Sequence, residues 1–353
     1  MFEIKSDDYS VFVGDVLTKA DEFIGKHYAR CKKVILVDEN TAEYCLPKIQ
    51  ALPSLLNAEV LQIQSGEEHK TIETTSHIWK YLSSIKIDRT ALFINVGGGV
   101  IGDMGGFAAS TYKRGIDFVN FPTTLLSQVD ASVGGKLGVD FEGLKNEVGV
   151  FKNPKAVFAH TEFLQTLDDR QILSGFAEII KHSLIASRNY FDEIQDLNFE
   201  AIQELDNVIK QSVEIKNNIV LKDFQEKSTR KALNFGHTIG HAIESNLLGS
   251  KSSLLHGEAI AIGMICETYL SYKAGFILME DAMEVANYIN AVFPKIDIDS
   301  SNYHRLIELM QHDKKNTLQG INFTLLKRIG EVEVNQICEV DQIIEALEFY
   351  KNH

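Results

Sequence analysis

The sequence predicts an α/β fold, in which an N-terminal Rossmann-like parallel-sheet domain is followed by an all-α C-terminal domain. In the first half of the 353-residue chain, short runs rich in β-branched residues alternate with helical patterns, as in a parallel sheet with crossover helices. From about Asp168 onward, long amphipathic patterns with few β-branched clusters indicate helices alone. We therefore expect two domains, residues 1–167 and 168–353, with a ligand site in the cleft between them.

The individual strands and helices are assigned from hydrophobic periodicity. The segments predicted as strands are "KKVILVDEN", "AEVLQIQSG", "TALFINVGGG" and "IDFVNFPTT", and "TIETTSHIWKYLSSI" is predicted as a helix between the second and the third. In the second domain, "RQILSGFAEIIKHSLIA" and "EAIQELDNVIKQSVEIKNNIVLKDF" have the spacing of amphipathic helices. The change from alternating strands to helices alone fixes the predicted boundary near "LQTLDDRQ".

Composition and charge exclude several classes of protein. Hydrophobic residues at 44% and charged residues at 24% are typical of a globular chain, and the net charge of -14 argues against nucleic acid or an anionic membrane as the main partner. The four cysteines show no C-x-x-C spacing, so neither a disulfide framework nor a zinc ribbon is predicted. The sequence has no signal-peptide pattern and no run of about 18 apolar residues, so we expect a cytoplasmic protein that does not span a membrane.

A glycine cluster, "INVGGGVIGDMGGFAAS", follows one predicted strand and opens a helical run. Gly97, Gly99 and Gly102 satisfy G-x-G-x-x-G, in which glycines let the backbone approach a pyrophosphate that faces the helix N-terminus. A tight strand-to-helix turn is the alternative interpretation. No acid stands at a strand end about 20 residues later. Asp38 and Asn40, which follow an earlier strand, are better placed for ribose hydroxyls, although a loop or helix-cap role is also open for them.

A second glycine-rich segment, "FPTTLLSQVDASVGGKLGVDFEGLKNEVGVFKNP", carries polar and basic side chains. It contains Asp130, Lys136, Lys145 and Asn146, and Arg114 lies upstream in "TYKRG". Lysines flanked by glycines suit an anion held in a turn, because the backbone can approach the anion and the ammonium group can reach it. Each lysine alone is typical of a solvated surface, whereas the cluster favours an anion site.

Two histidines, His237 and His241, lie one helical turn apart in "NFGHTIGHAIE", so both imidazoles can point at one ligand. Thr238 stands where an H-E-x-x-H metalloprotease helix has its glutamate, so that class of enzyme is excluded. An ordinary surface or core role for the pair is the alternative.

Further metal-ligand candidates lie in "SGFAEIIKH", which carries Glu178, Lys181 and His182, and in "LLHGEAIAIGM", which carries His256. Glu178 and Lys181 also fit an ordinary helix ion pair, and His256 also fits an N-terminal turn residue. Two histidines and one carboxylate would leave a zinc ion with an open coordination position, as catalytic zinc sites require.

Taken in order, "GGGVIGD", "PTTLLSQVDASVGGK", "LKN", "SGFAEIIKH", "RKALNFGHTIGHAIE", "LHGE" and "HDKKN" resemble the 3-dehydroquinate synthase family of sugar-phosphate cyclases. The resemblance covers nearly the whole chain, from "VDEN" to "DKKN". It implies that 3-deoxy-D-arabino-heptulosonate 7-phosphate is converted to 3-dehydroquinate and phosphate in the shikimate pathway. Transient NAD-dependent oxidation, phosphate elimination, reduction and an intramolecular aldol closure are the implied steps. NAD and Zn²⁺ or Co²⁺ are the implied cofactors.

The resemblance also implies roles for individual residues. The residues implied to bind NAD are Asp38, Asn40, Glu67, Lys70, Gly98, Gly99, Val100, Asp103, Thr123, Thr124, Asp130, Lys136, Lys145, Phe163, Thr166, Leu167 and Gln171. The implied metal ligands are Glu178, His237 and His256, which leaves His241 on the substrate side. Lys216 and Arg230 are implied to bind the substrate carboxylate. The residues implied to surround the phosphate are Lys136, Asn146, Asn234, His241 and one of Lys314 and Lys315.

Three further residues, Asp130, Lys181 and Glu226, are implied to bind hydroxyl groups and handle protons. Arg114 resembles an arginine that reaches into the site of a partner subunit, so a homodimer is expected. The chain departs from the family pattern at Gln171, where the family usually has Glu, at "SGEEHK" and at "KSTRK". These departures concern the edge of the cofactor site or its loops.

Three alternative functions are weighed against this interpretation. Another sugar-phosphate cyclase, of the 2-deoxy-scyllo-inosose or epi-valiolone synthase type, is disfavoured because Lys216 and Arg230 suit a carboxylated substrate. A metal-dependent polyol dehydrogenase of the glycerol dehydrogenase type would not need the paired lysines of "GGK" and "LKN". A non-catalytic NAD-binding protein would not need Glu178 and the histidines.

Overall fold

The computed structural model describes residues 1–142, 144–197, 202–249, 253–311 and 320–353. The chain forms two compact units, one of residues 1–168 and 199–217 and the other of residues 169–198 and 218–353. The return of residues 199–217 to the first unit is not visible in the sequence pattern. The division into a cofactor domain and a substrate domain at residue 168 stays a prediction.

The first unit is built around a sheet that is parallel except at one edge. Its strands are β1 (Phe2–Lys5), β2 (Ser10–Gly14), β3 (Lys33–Asp38), β4 (Glu59–Ile63), β5 (Leu92–Gly97) and β6 (Asp117–Pro122), then, after the hairpin of β7 (Lys136–Phe141) and β8 (Leu144–Phe151), β9 (Val157–His160). Their spatial order is β1-β2-β9-β6-β5-β3-β4, and β1 pairs antiparallel with β2. The predicted strands β3, β4, β5 and β6 are confirmed, and β1, β2 and β9 extend the sheet beyond the prediction.

Helices cover both faces of this sheet. They are α1 (Leu17–His27), α2 (Glu39–Tyr44), α3 (Leu46–Gln50), α4 (Ile72–Ser84) and α5 (Gly99–Thr111). On one face Ile94 belongs to the same core cluster as Ile24 of α1, and on the other Phe93 belongs to the same cluster as Met104 of α5 and Ile78 of α4. A strand that is buried on both faces has a nearly continuous apolar sequence, which explains why β5 could be predicted from the sequence.

The second unit is mostly helical, as expected. The remaining helices are α6 (Asp169–Ala186), α7 (Arg188–Gln195), α8 (Ile202–Lys222), which runs through both units, α9 (His237–Leu247), α10 (His256–Lys273), α11 (Met279–Val292), α12 (Tyr303–Gln311) and α13 (Val340–Asn352). The prediction of helices alone needs one correction, because β10 (Ile321–Arg328) and β11 (Glu331–Cys338) form an antiparallel hairpin. Among the helices in the described ranges, none has both the length and the apolar character that crossing a membrane requires.

Helices α9 and α10 are antiparallel and touch through glycines. A Cβ on Gly240 would lie 3.0 Å from the carbonyl oxygen of Ala259, and a Cβ on Gly263 would overlap the carbonyl oxygen of Gly236. Gly236 also has a φ of +79°, a conformation that glycine adopts without steric cost. The first two turns of α9 therefore lie directly beside the first two turns of α10.

Helix α5 approaches the sheet closely at one glycine and leaves space at another. A Cβ on Gly105 would overlap Oδ1 of the buried Asn95 and lie 2.8 Å from Cδ2 of Leu36, whereas a Cβ on Gly102 would meet no heavy atom within 4 Å. An added methyl group therefore overpacks the contact at Gly105 and meets no neighbour at Gly102.

We predict that Gly105→Ala lowers the free energy of unfolding by roughly 1–3 kcal/mol, because the added methyl group overpacks the contact between α5 and the sheet. Gly102→Ala is the matched control, and it should stay within about 1 kcal/mol of the wild type on the stabilising side, because Ala favours helix over Gly. Trp79, the only tryptophan of the chain, donates its Nε1 hydrogen to the carbonyl oxygen of Ala108 in α5 at 3.1 Å. Its fluorescence during urea unfolding of ligand-free protein reports on this contact. Equal midpoints for the two variants would contradict the packing argument.

Candidate active site

The glycine cluster forms the turn between β5 and α5 in the first unit. Gly97 ends the strand, Gly98 is the N-cap residue and the helix begins at Gly99, without a side-chain cap at this end among the described residues. Helix geometry leaves the amides of Gly99, Val100 and Ile101 without an intrahelical acceptor. Such amides, together with the helix dipole, favour an anion.

Two threonines that follow β6 lie beside this turn. The amide of Thr123 donates to the carbonyl oxygen of Gly97 at 3.1 Å. A Cβ on Gly98 would lie 3.1 Å from Cγ2 of Thr124, so a larger residue than glycine would crowd this threonine. The structure therefore places this glycine turn beside Thr123 and Thr124, and the contact of these residues with NAD stays a prediction.

Lys70 contacts three further predicted site residues. Its buried Nζ lies 2.7 Å from Oδ2 of Asp103 in α5, 2.7 Å from Oδ1 of Asn146 in β8 and 3.8 Å from Oε1 of Glu67. Burial alone would lower the pKa of Lys70, but the neighbouring carboxylates of Asp103 and Glu67 outweigh it and raise the pKa. Lys70 is therefore a charged group that ties the first turns of α5 to β8.

The end of β3 shows a structural role for one of the two predicted ribose ligands. Oδ1 of Asp38 accepts a hydrogen bond from the amide of Thr41 at 2.8 Å, so Asp38 caps α2. Asn40 is exposed in the first turn of the same helix. The helix-cap interpretation of Asp38 is confirmed, and contact of Asp38 or Asn40 with a ribose stays a prediction.

A buried lysine of α8 meets a carboxylate of the short helical segment Ser127–Ala131, which follows β6. Nζ of Lys216 lies 2.7 Å from Oδ1 of Asp130 and 2.6 Å from the carbonyl oxygen of the same residue. Lys216 is almost completely buried, so its ammonium group is held in place in the first unit. Other predicted site residues of this unit are exposed, namely Lys136, Lys145, Thr166 and Arg114, whereas Leu167 is half-buried and Phe163 is buried edge-on against His160.

Arg114 lies in an unusual backbone segment after α5. Arg114 has a φ of 67° and the preceding Lys113 a φ of 50°, so two consecutive residues other than glycine are left-handed. Such conformations are costly and cluster at functional sites. The segment presents the side chain of Arg114 to solvent.

The metal-ligand candidates of the second unit converge on one carboxylate oxygen. Oε1 of Glu178 in α6 lies 3.5 Å from Nε2 of His237 and 3.4 Å from Nε2 of His256. Nitrogen atoms of these two rings and of His241 lie within 4.8 Å of one another. Zinc bonds of about 2.1 Å at tetrahedral angles separate neighbouring ligand atoms by about 3.4 Å. The positions of Glu178, His237 and His256 therefore fit a zinc-sized cation.

Partners on the far side of each ligand fix its orientation. Nδ1 of His237 donates to the carbonyl oxygen of Phe235 at 3.0 Å, and because a carbonyl only accepts, Nε2 of the neutral ring keeps its lone pair. Nδ1 of His256 lies 3.5 Å from Oε2 of Glu244, and Lys181 forms an ion pair with Oε2 of Glu178. Such partners orient metal ligands and tune their basicity.

Electrostatics at this cluster favour a cation. Burial and the charge of Lys181 hold the pKa of His237 well below its usual value, so this ring is neutral. Burial would also lower the pKa of His256, but hydrogen bonds to Glu178 and Glu244 outweigh it and raise the pKa to about 9. A divalent cation at this position would replace a proton that the two carboxylates already hold on His256.

A loop after α8 carries the remaining predicted residues of this unit. Nδ2 of Asn234 donates to Oε1 of Glu226 at 2.9 Å, and Nη1 of the buried Arg230 donates to the carbonyl oxygen of Phe224 at 2.6 Å. Asp223 accepts hydrogen bonds from the amides of residues 227, 228 and 230. Although burial opposes the shift, these amides lower the pKa of Asp223 to about 2. Asp223 thus closes the loop that presents Arg230.

Two of the important residues were missed from the sequence, and two predicted ones cannot be placed. Glu244 follows His237 by seven residues on the same helix face, so its spacing was a usable signal. Asp223 gave no signal beyond its place in a polar loop. Gln171 is half-buried near the start of α6, and Lys314 and Lys315 lie outside the described residues.

Comparison with known proteins places the chain in one family. Models of the 3-dehydroquinate synthase N-terminal and C-terminal families match residues 60–174 and 175–316. A 3-dehydroquinate synthase from Parabacteroides distasonis is 46% identical over 322 residues, which are 91% of each chain, and one from Nitratiruptor is 42% identical over 305 residues, or 86% of each chain. The fold also matches that of a Streptomyces hygroscopicus 2-epi-5-epi-valiolone synthase with NAD⁺ and Zn²⁺ bound, at a TM-score of 0.86 and 23% identity over 100% of this chain and 99% of that one. The chain therefore belongs to the 3-dehydroquinate synthase family.

Proposed function

We propose that this chain converts 3-deoxy-D-arabino-heptulosonate 7-phosphate to 3-dehydroquinate and phosphate, with NAD and a divalent metal ion as cofactors. The observation that carries the proposal is the approach of two imidazole Nε2 atoms to one oxygen of Glu178, at 3.4 and 3.5 Å, in a chain that belongs to this family. A cytoplasmic location remains a prediction from the sequence.

Glu178, His237 and His256 are the residues that would hold Zn²⁺ or Co²⁺. When bound, the metal and NAD would supply the transient oxidation of a substrate alcohol and its later reduction. The protein supplies orientation: Lys181 engages Oε2 of Glu178, which leaves Oε1 facing the two histidines. His241 lies beside both rings, with centroids 5.0 Å from His237 and 5.7 Å from His256. We assign its imidazole to the substrate side, where it exchanges a proton.

The turn between β5 and α5 is the proposed pyrophosphate site for NAD. The amides of Gly99 and Val100 point out of the start of α5, and the open space at Gly102 leaves room for a ligand. Lys70 and Asp103 hold this turn in place. The other residues proposed to contribute to the NAD site are Asp38, Asn40, Glu67, Gly98, Thr123, Thr124, Asp130, Lys136, Lys145, Phe163, Thr166, Leu167 and Gln171.

Two buried cations are proposed to bind the substrate carboxylate. Lys216 and Arg230 are each held by oxygen atoms of their own unit, so they are preorganised rather than mobile. Cations reserved for a carboxylate favour the heptulosonate over related sugar phosphates that carry none. Lys136, Asn146, Asn234, His241 and one of Lys314 and Lys315 are proposed around the phosphate, with Asp130, Lys181 and Glu226 handling hydroxyl groups and protons.

We also propose a homodimer in which Arg114 completes the site of the partner subunit. Arg114 is exposed, and the hairpin of β7 and β8 in the same unit exposes Phe141 by 44%, Leu144 by 57% and Phe151 by 46%. Exposed apolar side chains at both ends of a hairpin are typical of an interaction surface, and two-fold pairs are the commonest assemblies.

Cofactor accounting tests the proposed reaction. If hydride is removed and returned within one turnover, phosphate release should reach many equivalents of NAD while the nicotinamide absorbance stays flat. Both signals can be followed in one cuvette with NAD well below the substrate concentration, and the organic product is then identified. A polyol dehydrogenase would instead form one reduced cofactor per product and release no phosphate. Turnover that stops after one equivalent of NAD, with one reduced cofactor formed per product, would contradict the proposal.

Metal content tests the roles of the three histidines. His237→Ala and His256→Ala should lose bound metal, because each removes a ligand atom that lies beside Glu178. His241→Ala should keep the metal and lose at least about tenfold in turnover, as expected for loss of a proton-transfer group. Metal content after dialysis and turnover are measured for each variant. His304→Ala, which removes an exposed histidine of α12, is the control. Metal loss in His241→Ala with retention in His237→Ala would reverse the assignment.

Subunit mixing tests the role of Arg114. Arg114→Ala and Lys216→Ala should each be inactive, and an exchanged mixture should recover about a quarter of the wild-type activity, because half of the dimers are hybrids with one intact site. Native mass spectrometry with one isotopically labelled variant verifies the exchange. An exchanged mixture without activity would show that Arg114 does not act across the interface.

A further inference from the structure

A buried carboxylate outside the proposed ligand set caps the helix that carries two of the histidines. Glu267 in α10 is 0% exposed. Its Oε2 accepts a hydrogen bond from the amide of Gly236 at 2.6 Å, and its Oε1 accepts one from the amide of Ile239 at 3.2 Å. These amides flank His237, which is the first residue of α9. Both sides of the His237 backbone are therefore held by one side chain.

Helix α9 depends on this external cap because its own N-cap residue has no side chain. The first amides of a helix need acceptors from outside the helix, and an anion at this end also interacts favourably with the helix dipole. In a capping box the acceptors come from the N-cap and N3 side chains of the same helix. Here Gly236 is the N-cap residue and Ile239 the N3 residue, so neither can supply one. Glu267 supplies both acceptors from the neighbouring helix.

The glycine contact between α9 and α10 makes Glu267 difficult to replace by water. A Cβ on Gly236 would lie 2.6 Å from Cγ of Met264 and 3.1 Å from the carbonyl oxygen of Ile260, so this end of α9 lies directly against α10. Amides buried in such a contact would lose their acceptors if the carboxylate were removed, at a large desolvation cost. The start of α9 would then have to shift or unwind, and His237 would move with it.

We infer that Glu267 is a positioning residue of the metal centre: by capping α9 it holds Nε2 of His237 opposite Oε1 of Glu178, and it thereby sets the affinity for a divalent cation. The inference rests on the proposed function, because it assumes that Glu178, His237 and His256 bind the metal. Helix α10 then contributes twice, directly through His256 at its first residue and indirectly through Glu267 three turns later.

The test compares Glu267→Gln and Glu267→Ala with Ser271→Ala. Ser271 is a matched control because it is also buried in α10 and bonds backbone outside α9: its Oγ accepts from the amide of Leu326 at 2.9 Å and donates to the carbonyl oxygen of Glu267 at 2.7 Å. Metal-free protein is titrated with Co²⁺ in competition with a chelator. The visible spectrum of the bound Co²⁺ reports on its ligand geometry, and the Tm of each metal-free variant reports on stability.

Glu267→Ala should weaken Co²⁺ binding by about 10- to 100-fold, the range seen when partners of metal ligands are removed, and should alter the Co²⁺ spectrum. Glu267→Gln keeps one acceptor oxygen but places an amide group against the other backbone N–H, so its affinity should fall between those of the wild type and Glu267→Ala. If Glu267→Ala does not fold, Glu267→Gln alone provides the test. Ser271→Ala should lower the Tm and leave both the Co²⁺ affinity and the spectrum unchanged.

Wild-type affinity and spectrum in folded Glu267→Gln would overturn the inference, and so would an equal loss of affinity in Ser271→Ala. Failure of the proposed function is distinguishable, because it would appear in the wild type. Wild-type protein that binds no Co²⁺, or that binds Co²⁺ unchanged after His237→Ala, would overturn the metal site itself.

Discussion

The backbone contact between α9 and α10 is the constraint on which the candidate metal site depends. Glycines at 236, 240 and 263 remove the side chains that would hold the two helices apart. Because the helices are antiparallel, the two histidines of α9 come to lie beside His256 at the first residue of α10. A side chain at any of these glycines would separate the imidazoles without changing a single ligand atom.

That contact also brings charges into a buried region, where they must be compensated. A buried carboxylate is costly unless it is paired and hydrogen-bonded. Glu178 is paired with Lys181 at one oxygen, and its other oxygen faces the two histidines, at distances that suit a shared cation. Two carboxylates, Glu178 and Glu244, face Lys181 and His256, and they raise the pKa of His256.

The sequence predicted the elements whose signals are local and missed those that depend on distant partners. Strands β3, β5 and β6 are mostly buried, and the edge strand β4 mixes apolar and polar residues, so all four are visible in the sequence. By contrast, β1 and β9 have only four residues each, and β10 lies among helical patterns. The spacing of His237 and His241 was visible in the sequence, but Glu178 lies 59 residues before His237, so only the family resemblance linked them. Glu267 stands in an apolar helix, and no pattern indicates that it caps a neighbouring one.

The N-termini of α5 and α9 have similar backbone geometry but different surroundings: one is capped by a buried carboxylate, and the other has no capping side chain among the described residues. Both helices begin after a glycine, and neither has a capping side chain of its own among the described residues. At α9 the carboxylate of Glu267 accepts from the amides of Gly236 and Ile239, so this helix end is filled by the protein and serves to fix His237. At α5 the fixing group is the ion pair of Lys70 and Asp103, which acts from the side of the helix. The amides of the first turn are thereby left without a capping side chain among the described residues, and the same helix has open space at Gly102. The same helix geometry thus serves a structural purpose at α9, where a buried carboxylate of the protein accepts from the amides, and leaves the first amides of α5 available to an anionic ligand.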